Sequence, residues 1–232
     1  VLTAKKKLSS REITPKTTVA TIYYDAQEWI RKNSKLVGGI VLGVVAIIII
    51  GYLYVSGKAA DDREANRQLR LVQELYQQQQ YKMAIMGDPN RGIPGLEEIV
   101  TKYGGTPTGE IAAVFLGNSY LYSGEYDKAL DTFERASPKA DVLRAASVAG
   151  QAAVYEAKED FARAAKLYER AAGMIDNDLL TSERHLAAGR AYALAGDKAK
   201  AKRLLEKVKE SKSTRFHVDA DRLLAKFGLI EY

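Results

Sequence analysis

Cysteine is absent from the 232 residues, which removes disulfides, thiolate catalysis and every cysteine-based metal site. An exported domain that uses no disulfides fits this composition. Histidine is scarce: His185 and His217 stand 32 residues apart, with no HExxH pattern, nucleophile or carboxylate at ligand spacing beside either. His185 falls within a periodic helix and reads as a packing or groove residue. There is no phosphate loop, because Gly104-Gly105 is not followed by Lys and Ser or Thr. Strand-like alternation and Asn-Gly hairpin turns are missing too, so sheet is not expected. These gaps argue against an enzyme; no cofactor, metal or small-molecule substrate is expected.

What the chain does have is one long apolar run, Leu36–Gly57, LVGGIVLGVVAIIIIGYLYVSG, 22 residues without Asp, Glu, Lys, Arg or His. At ~1.5 Å per residue, about 20 apolar residues in a helix span a hydrocarbon core of roughly 30 Å. A helix also pairs its backbone groups internally, as lipid demands. Tyr52 and Tyr54 suit the headgroup level. The run exceeds the core of a cleaved signal peptide, about 7–15 residues, and 35 residues precede it, so an uncleaved signal-anchor is expected. Within it Gly39 and Gly43 have the small-xxx-small spacing of paired membrane helices.

Charge is lopsided. Eight Lys and Arg stand before the run against three acids, a net +5 that leaves +1 for the rest of the chain. Basic residues are retained on the cytoplasmic side, so the N-terminus is placed inside and the C-terminal domain outside. In a bacterium this means a single-pass inner-membrane protein with a periplasmic domain. Topology and anionic membrane lipid account for the basic excess better than nucleic acid does. The sequence starts at Val1, so a few further residues are expected ahead of it.

In order, residues 1–16 read as a basic cytoplasmic tail. Residues 17–35 carry Val19, Ile22, Tyr23, Ala26, Trp29 and Ile30 on one helix face, an amphipathic helix for the membrane interface or for docking on a membrane partner, with a break at Asn33-Ser34. The membrane helix follows at 36–57. Residues 58–109 read as a divergent first hairpin: a long helix Ala59–Ala84, a loop Met86–Gly92, a shorter helix Ile93–Tyr103, and a break at Gly104–Gly109. Tyr81 and Ala84 take repeat-like places in it. The Asp88–Gly92 loop is turn chemistry first, with calcium as the alternative. Asp61, Asp62, Glu97 and Glu98 read as helix-surface charge. The tail 210–232, with Phe216, Val218, Leu223, Leu224 and Phe227 in helical spacing, reads as a cap.

Residues 110–209 repeat themselves. GNSYLYSGEYDKALDTFERA (Gly117–Ala136), AAVYEAKEDFARAAKLYERA (Ala152–Ala171) and GRAYALAGDKAKAKRLLEKV (Gly189–Val208) align at offsets of 35 and 37. Gly117, Ala152 and Gly189 precede Tyr120, Tyr155 and Tyr192 by three. Ala129, Ala164 and Ala201 come nine later, then Phe133, Tyr168 and Leu205. Such a pattern builds a helical hairpin: small residues where two helices cross, and large ones facing the next hairpin. Each hairpin needs a neighbour to bury its apolar face. Gly124 and Gly196 suit the turns. The expected fold is all-α: one N-terminal transmembrane helix, then an α-solenoid of hairpins.

The pattern resembles the tetratricopeptide repeat over roughly Glu110–Val208. It departs in lacking that family's Trp, replaced by Ala113, Val148 and His185, and its terminal Pro. The resemblance implies a protein-binding groove lined by first helices, with Asn118, Leu121, Tyr122, Ala153, Glu156, Glu183, Arg190 and Ala193 pointing in. Val114 stands where a chain-terminus clamp needs Lys, so an extended or helical peptide is the expected ligand. The whole plan resembles the YfgM-type ancillary subunits of the Sec translocon. YKMAIMGDPNRGIPGLEEIVTKYGGTPTGEIAAVFLGNSYLYSGEYDKALDTFERAS is especially similar to members from Bacteroidetes and Chlorobi. That likeness implies translocon subunits, periplasmic chaperones or exported clients as partners. The alternative is a structural or assembly subunit of another inner-membrane complex, held through the transmembrane and interfacial helices.

Overall fold

Proline opens the first helix. A computed structural model describes residues 15–136 and 138–229, in two compact units that divide between Ser56 and Gly57. In the first unit α1 (Pro15–Lys32) begins where the fixed φ and missing N–H of Pro15 cost nothing. The break expected at Asn33-Ser34 falls at Asn33, whose side-chain Nδ2 donates to the Trp29 carbonyl at 2.9 Å beside its own backbone N–H. The Asn33 carbonyl then accepts from Val37 N–H, opening α2 (Ser34–Gln77). The 22-residue run lies in α2, its large apolar side chains exposed, and α2 is long and apolar enough to cross a membrane.

In the second unit the end of α2 buries Ala65, Leu69, Val72 and Leu75. It stops at Gln77, not Ala84 as expected. Gln79 turns left-handed (φ +58°), and Gln80 N–H reaches back to the Leu75 carbonyl while Gln79 N–H reaches Tyr76. This pair of bonds is the Schellman closure. It recurs between α5 (Pro107–Tyr122) and α6 (Tyr126–Arg135) at Gly124, between α7 (Asp141–Ala157) and α8 (Phe161–Ala172) at Glu159, and between α9 (Asp178–Leu194) and α10 (Lys198–Glu210) at Gly196. The closing α11 (His217–Lys226) ends the same way at Gly228. Five residues after each hairpin turn comes a fully buried alanine: Ala84, Ala129, Ala164 and Ala201.

The first hairpin is therefore genuine, but its second helix is interrupted. After α3 (Tyr81–Met86) the chain leaves through β1 (Gly87–Asp88), turns, and returns through β2 (Ile93–Pro94) before α4 (Leu96–Tyr103). Within the turn Asp88 accepts from Asn90 N–H at 3.1 Å, the turn chemistry expected of this loop. The short ladder was not expected, and it takes the first turn of helix expected from Ile93. The two ends of the excursion pinch together: a Cβ on Gly95 would lie 2.3 Å from the Ile85 carbonyl oxygen, and one on Gly87 2.6 Å from Gly95 N. Hence α4 restarts where α3 stopped. A hydroxyl-to-carboxylate bond spans 23 residues from Glu97 to Tyr120 and again from Glu169 to Tyr192, so α4 stands to α5 as α8 stands to α9.

Expected at Glu110, α5 begins at Pro107, because Thr106 caps it, accepting from Gly109 N–H at 3.0 Å. A second cap comes from afar: the Asp62 carboxylate on α2 accepts from Thr108 N–H at 2.8 Å. That bond, chiefly, holds the Asp62 pKa below its ordinary value. Asp62→Ala should cost about 1 kcal/mol, the usual worth of a helix cap, measured by urea denaturation of the second unit. Because the folded pKa is depressed, the stabilisation is complete above the ordinary carboxylate pKa and fades as pH falls below it.

Between hairpins, Phe133 (1% exposed) lies where Cβ atoms on Gly117 and Gly150 would come within 2.6 and 2.3 Å of its ring. Leu205 relates in the same way to Gly189, at 2.8 Å. Carboxylates add polar bonds across the junctions: Asp127 to Lys158 Nζ at 2.6 Å, Glu110 to Lys139 N–H at 3.1 Å, and Asp178 to Ser213 N–H at 2.6 Å. In the tail Ala220, Leu224 and Leu229 join the core, while Val218, expected on the apolar face, is exposed.

Candidate functional site

Every third or fourth residue of a first helix is taken by packing, so the side chains between are what the hairpins present. The structure sorts the expected groove residues into two regions of the second unit and a remainder.

The first region is aromatic. Phe115, Asn118 and Tyr122 share one face of α5, three and four residues apart. Tyr76 from α2 lies edge-on to Phe115, ring centroids 4.8 Å apart, and to Tyr81 at 5.4 Å. Tyr81 in turn lies tilted against Tyr122 at 4.9 Å. Tyr122 remains 59% exposed. Burial, ahead of the neighbouring tyrosines, pushes the Tyr76 hydroxyl up to about 12, with an Asn118 hydrogen bond opposing it. The result is a platform of ring faces with one amide and three hydroxyls. Tyr76, Tyr81 and Phe115 were not among the expected groove residues. Phe115 was legible from its place beside Asn118, whereas Tyr76 and Tyr81 needed the position of the first turn.

The second region is charged. Glu156 on α7 and Arg190 on α9, both expected to face a ligand, bond to each other at 2.9 Å, and Tyr168 donates to the same carboxylate at 3.0 Å. A cleft of about 380 Å³ follows, lined by Glu183, Leu186, Ala187, Arg190, Asp219, Arg222 and Leu223. Asp219 and Arg222, paired at 3.0 Å, come from α11 and carry no repeat signal that would have assigned them. In a separate cleft, beside His185, Glu169 accepts from Tyr192 at 2.8 Å and Arg203 at 2.7 Å. Burial first, then this bond, pushes the Tyr192 hydroxyl up to about 12; it stays protonated and donates.

The remaining residues do other work. Leu121 packs against the N-terminal core, and Ala153 and Ala193 against the C-terminal one. His185 is buried, its pKa lowered first by that burial and then by Lys207, which makes it a packing residue. In the first unit, apart from the chain neighbours and the helix's own backbone, no described atom lies within 4 Å of where a Cβ on Gly39 or Gly43 would stand.

A comparison with known families bears on this arrangement. Residues 112–141, covering α5 from Ala112, α6 and the turn into α7, match the tetratricopeptide repeat family. No curated protein and no solved structure matches the chain. The match, with the hairpins and rings described above, supports a tetratricopeptide-repeat protein whose repeats form a protein-interaction scaffold.

Proposed function

We propose that this chain is a membrane-anchored capture subunit. α2 holds it in a bacterial inner membrane with the N-terminus cytoplasmic. The periplasmic repeats present the Tyr76–Tyr81–Phe115–Tyr122 platform to an extended segment of a partner protein. The observation that carries the reading is the exposure of Tyr122 at the edge of a ring cluster tied to Asn118. Flat rings beside an amide bind apolar side chains and backbone with little loss of conformational freedom. The plan of anchor and repeats, together with the resemblance to YfgM-type subunits, supports the Sec translocon as the site of action. Periplasmic chaperones or exported clients are then the captured proteins. The small-xxx-small spacing of Gly39 and Gly43 favours a second reading, in which the chain is a structural or assembly subunit of another complex, held through α1 and α2.

Crosslinking in the membrane with mass spectrometry separates the two. Asn118→Ala with Tyr122→Ala should weaken partner recovery by about 30-fold, the scale of losing a buried aromatic anchor, with far-UV circular dichroism and melting unchanged. Undiminished recovery by the double variant would exclude the platform. Recovery that survives removal of the whole repeat domain would favour the second reading.

A further inference from the structure

α1 exposes an apolar stripe that no described residue of its own unit covers. Ile22 is 62% exposed, Tyr23 65%, Trp29 55% and Ile30 49%. At 100° per residue these four and Ala26 share one side of the helix, while Glu28 lies opposite. Asp25 and Lys32 lie beside one edge of the stripe, and Arg31 lies on the far side near Glu28. Arg31, Lys32 and the following Lys35 are all exposed, and none has an ion pair with a described residue. These three cations cluster within five residues, at the point where the apolar run begins at Leu36. Only Asn33 separates α1 from α2. The apolar run thus begins one residue after Lys35 and six after Ile30, where the exposed stripe ends.

We infer that α1 is an anionic-lipid-binding helix. It lies in the interface, with Ile22, Tyr23, Ala26, Trp29 and Ile30 sunk about 5–10 Å into the headgroup boundary, while Arg31, Lys32 and Lys35 engage lipid phosphates. The inference rests on the membrane reading of α2 but not on partner capture. Charge selects the occupant. The two acids of α1 after residue 21 are Asp25 and Glu28, at its flank and its far side, whereas the cations gather at the membrane end. Lys5, Lys6, Lys7, Arg11 and Lys16 precede them in the sequence. A protein partner would be selected by shape; a lipid surface asks only for apolar depth and positive charge. Long Lys and Arg stems reach from a half-sunk helix to the phosphate plane.

The test uses the full chain, whose single tryptophan is Trp29. The protein is reconstituted into phosphatidylcholine vesicles with or without phosphatidylglycerol, using lipids brominated at shallow or deep chain positions. On anionic vesicles Trp29 emission should shift to the blue and be quenched more by shallow than by deep bromines. Arg31→Gln, Lys32→Gln and Lys35→Gln together should weaken docking about a hundredfold, since each basic residue at an anionic surface is worth roughly a factor of five. Equal quenching on neutral and anionic vesicles would overturn the anionic assignment. Trp29 that stays accessible to aqueous acrylamide on both would overturn lipid docking altogether and leave a protein as the occupant. Partner recovery by the repeat domain is untouched by either result.

Discussion

Phe133→Ala should destabilise the repeat domain by about 3–5 kcal/mol, the range for a buried phenylalanine. The ring is held between Gly117 of its own hairpin and Gly150 of the next. Neither glycine has a side chain with which to refill the space, so the cavity stays open and the cost falls at the upper end. For a domain of this size the midpoint of thermal unfolding should drop by roughly 10 °C. Because each hairpin leans on its neighbours, the loss should be local: amides of α5 to α7 exchange first, while α9 and α10 keep most of their protection. A fall below about 1 kcal/mol would mean that the glycines do not close on the ring.

Removing the excursion in α3–α4 should have an outcome that depends on register. The spacing from Gln79 to Gly124 is 45, against 35 and 37 for the following turns. Deleting the eight residues 87–94 joins Met86 to Gly95 and places Leu96 four residues after Ala84, as Phe133 follows Ala129. That variant should fold with a loss of about 1 kcal/mol, mostly from Gly95 inside a helix. Deleting nine, 87–95, rotates Leu96, Ile99 and Tyr103 by about 100°. All three are at most 3% exposed, and at about 2–5 kcal/mol for each lost large side chain the first hairpin should unfold. Urea titrations of the two deletions read the difference; equal stabilities would show that α4 does not continue α3.

The all-α plan, the three later hairpins and their crossing residues were legible because they repeat: Gly117, Ala129 and Phe133 each have two counterparts at fixed offsets. The excursion was not, because eight inserted residues break the period and hide Leu96 and Ile99 as counterparts of later residues. Gly150 lies outside the aligned stripe and was missed, although a glycine in the middle of a helix marks a close approach. Asp62 and Glu97 looked like surface charge, since a bond to a residue 46 or 23 positions away leaves no local trace. Asn118 and Tyr122 could be picked from the face of one helix. Of their aromatic neighbours Tyr76 and Tyr81 come from α2 and α3, and Glu156 and Arg190 could not be seen to satisfy each other.

The polar bonds between hairpins give the stack a direction. At successive junctions a carboxylate of the upstream element accepts from a donor of the downstream element: Asp62 from Thr108, Glu97 from Tyr120, Asp127 from Lys158, Glu156 from Arg190, Glu169 from Tyr192 and Arg203. Each hairpin is thus a socket on one side and a plug on the other. An internal hairpin copied in frame would find matching partners above and below, which is how such arrays can lengthen without redesign. The last joint breaks the rule. There Lys209 on α10 meets Asp221 on α11 at 2.7 Å, the donor now upstream, so α11 fits the stack as a reversed piece that marks its end.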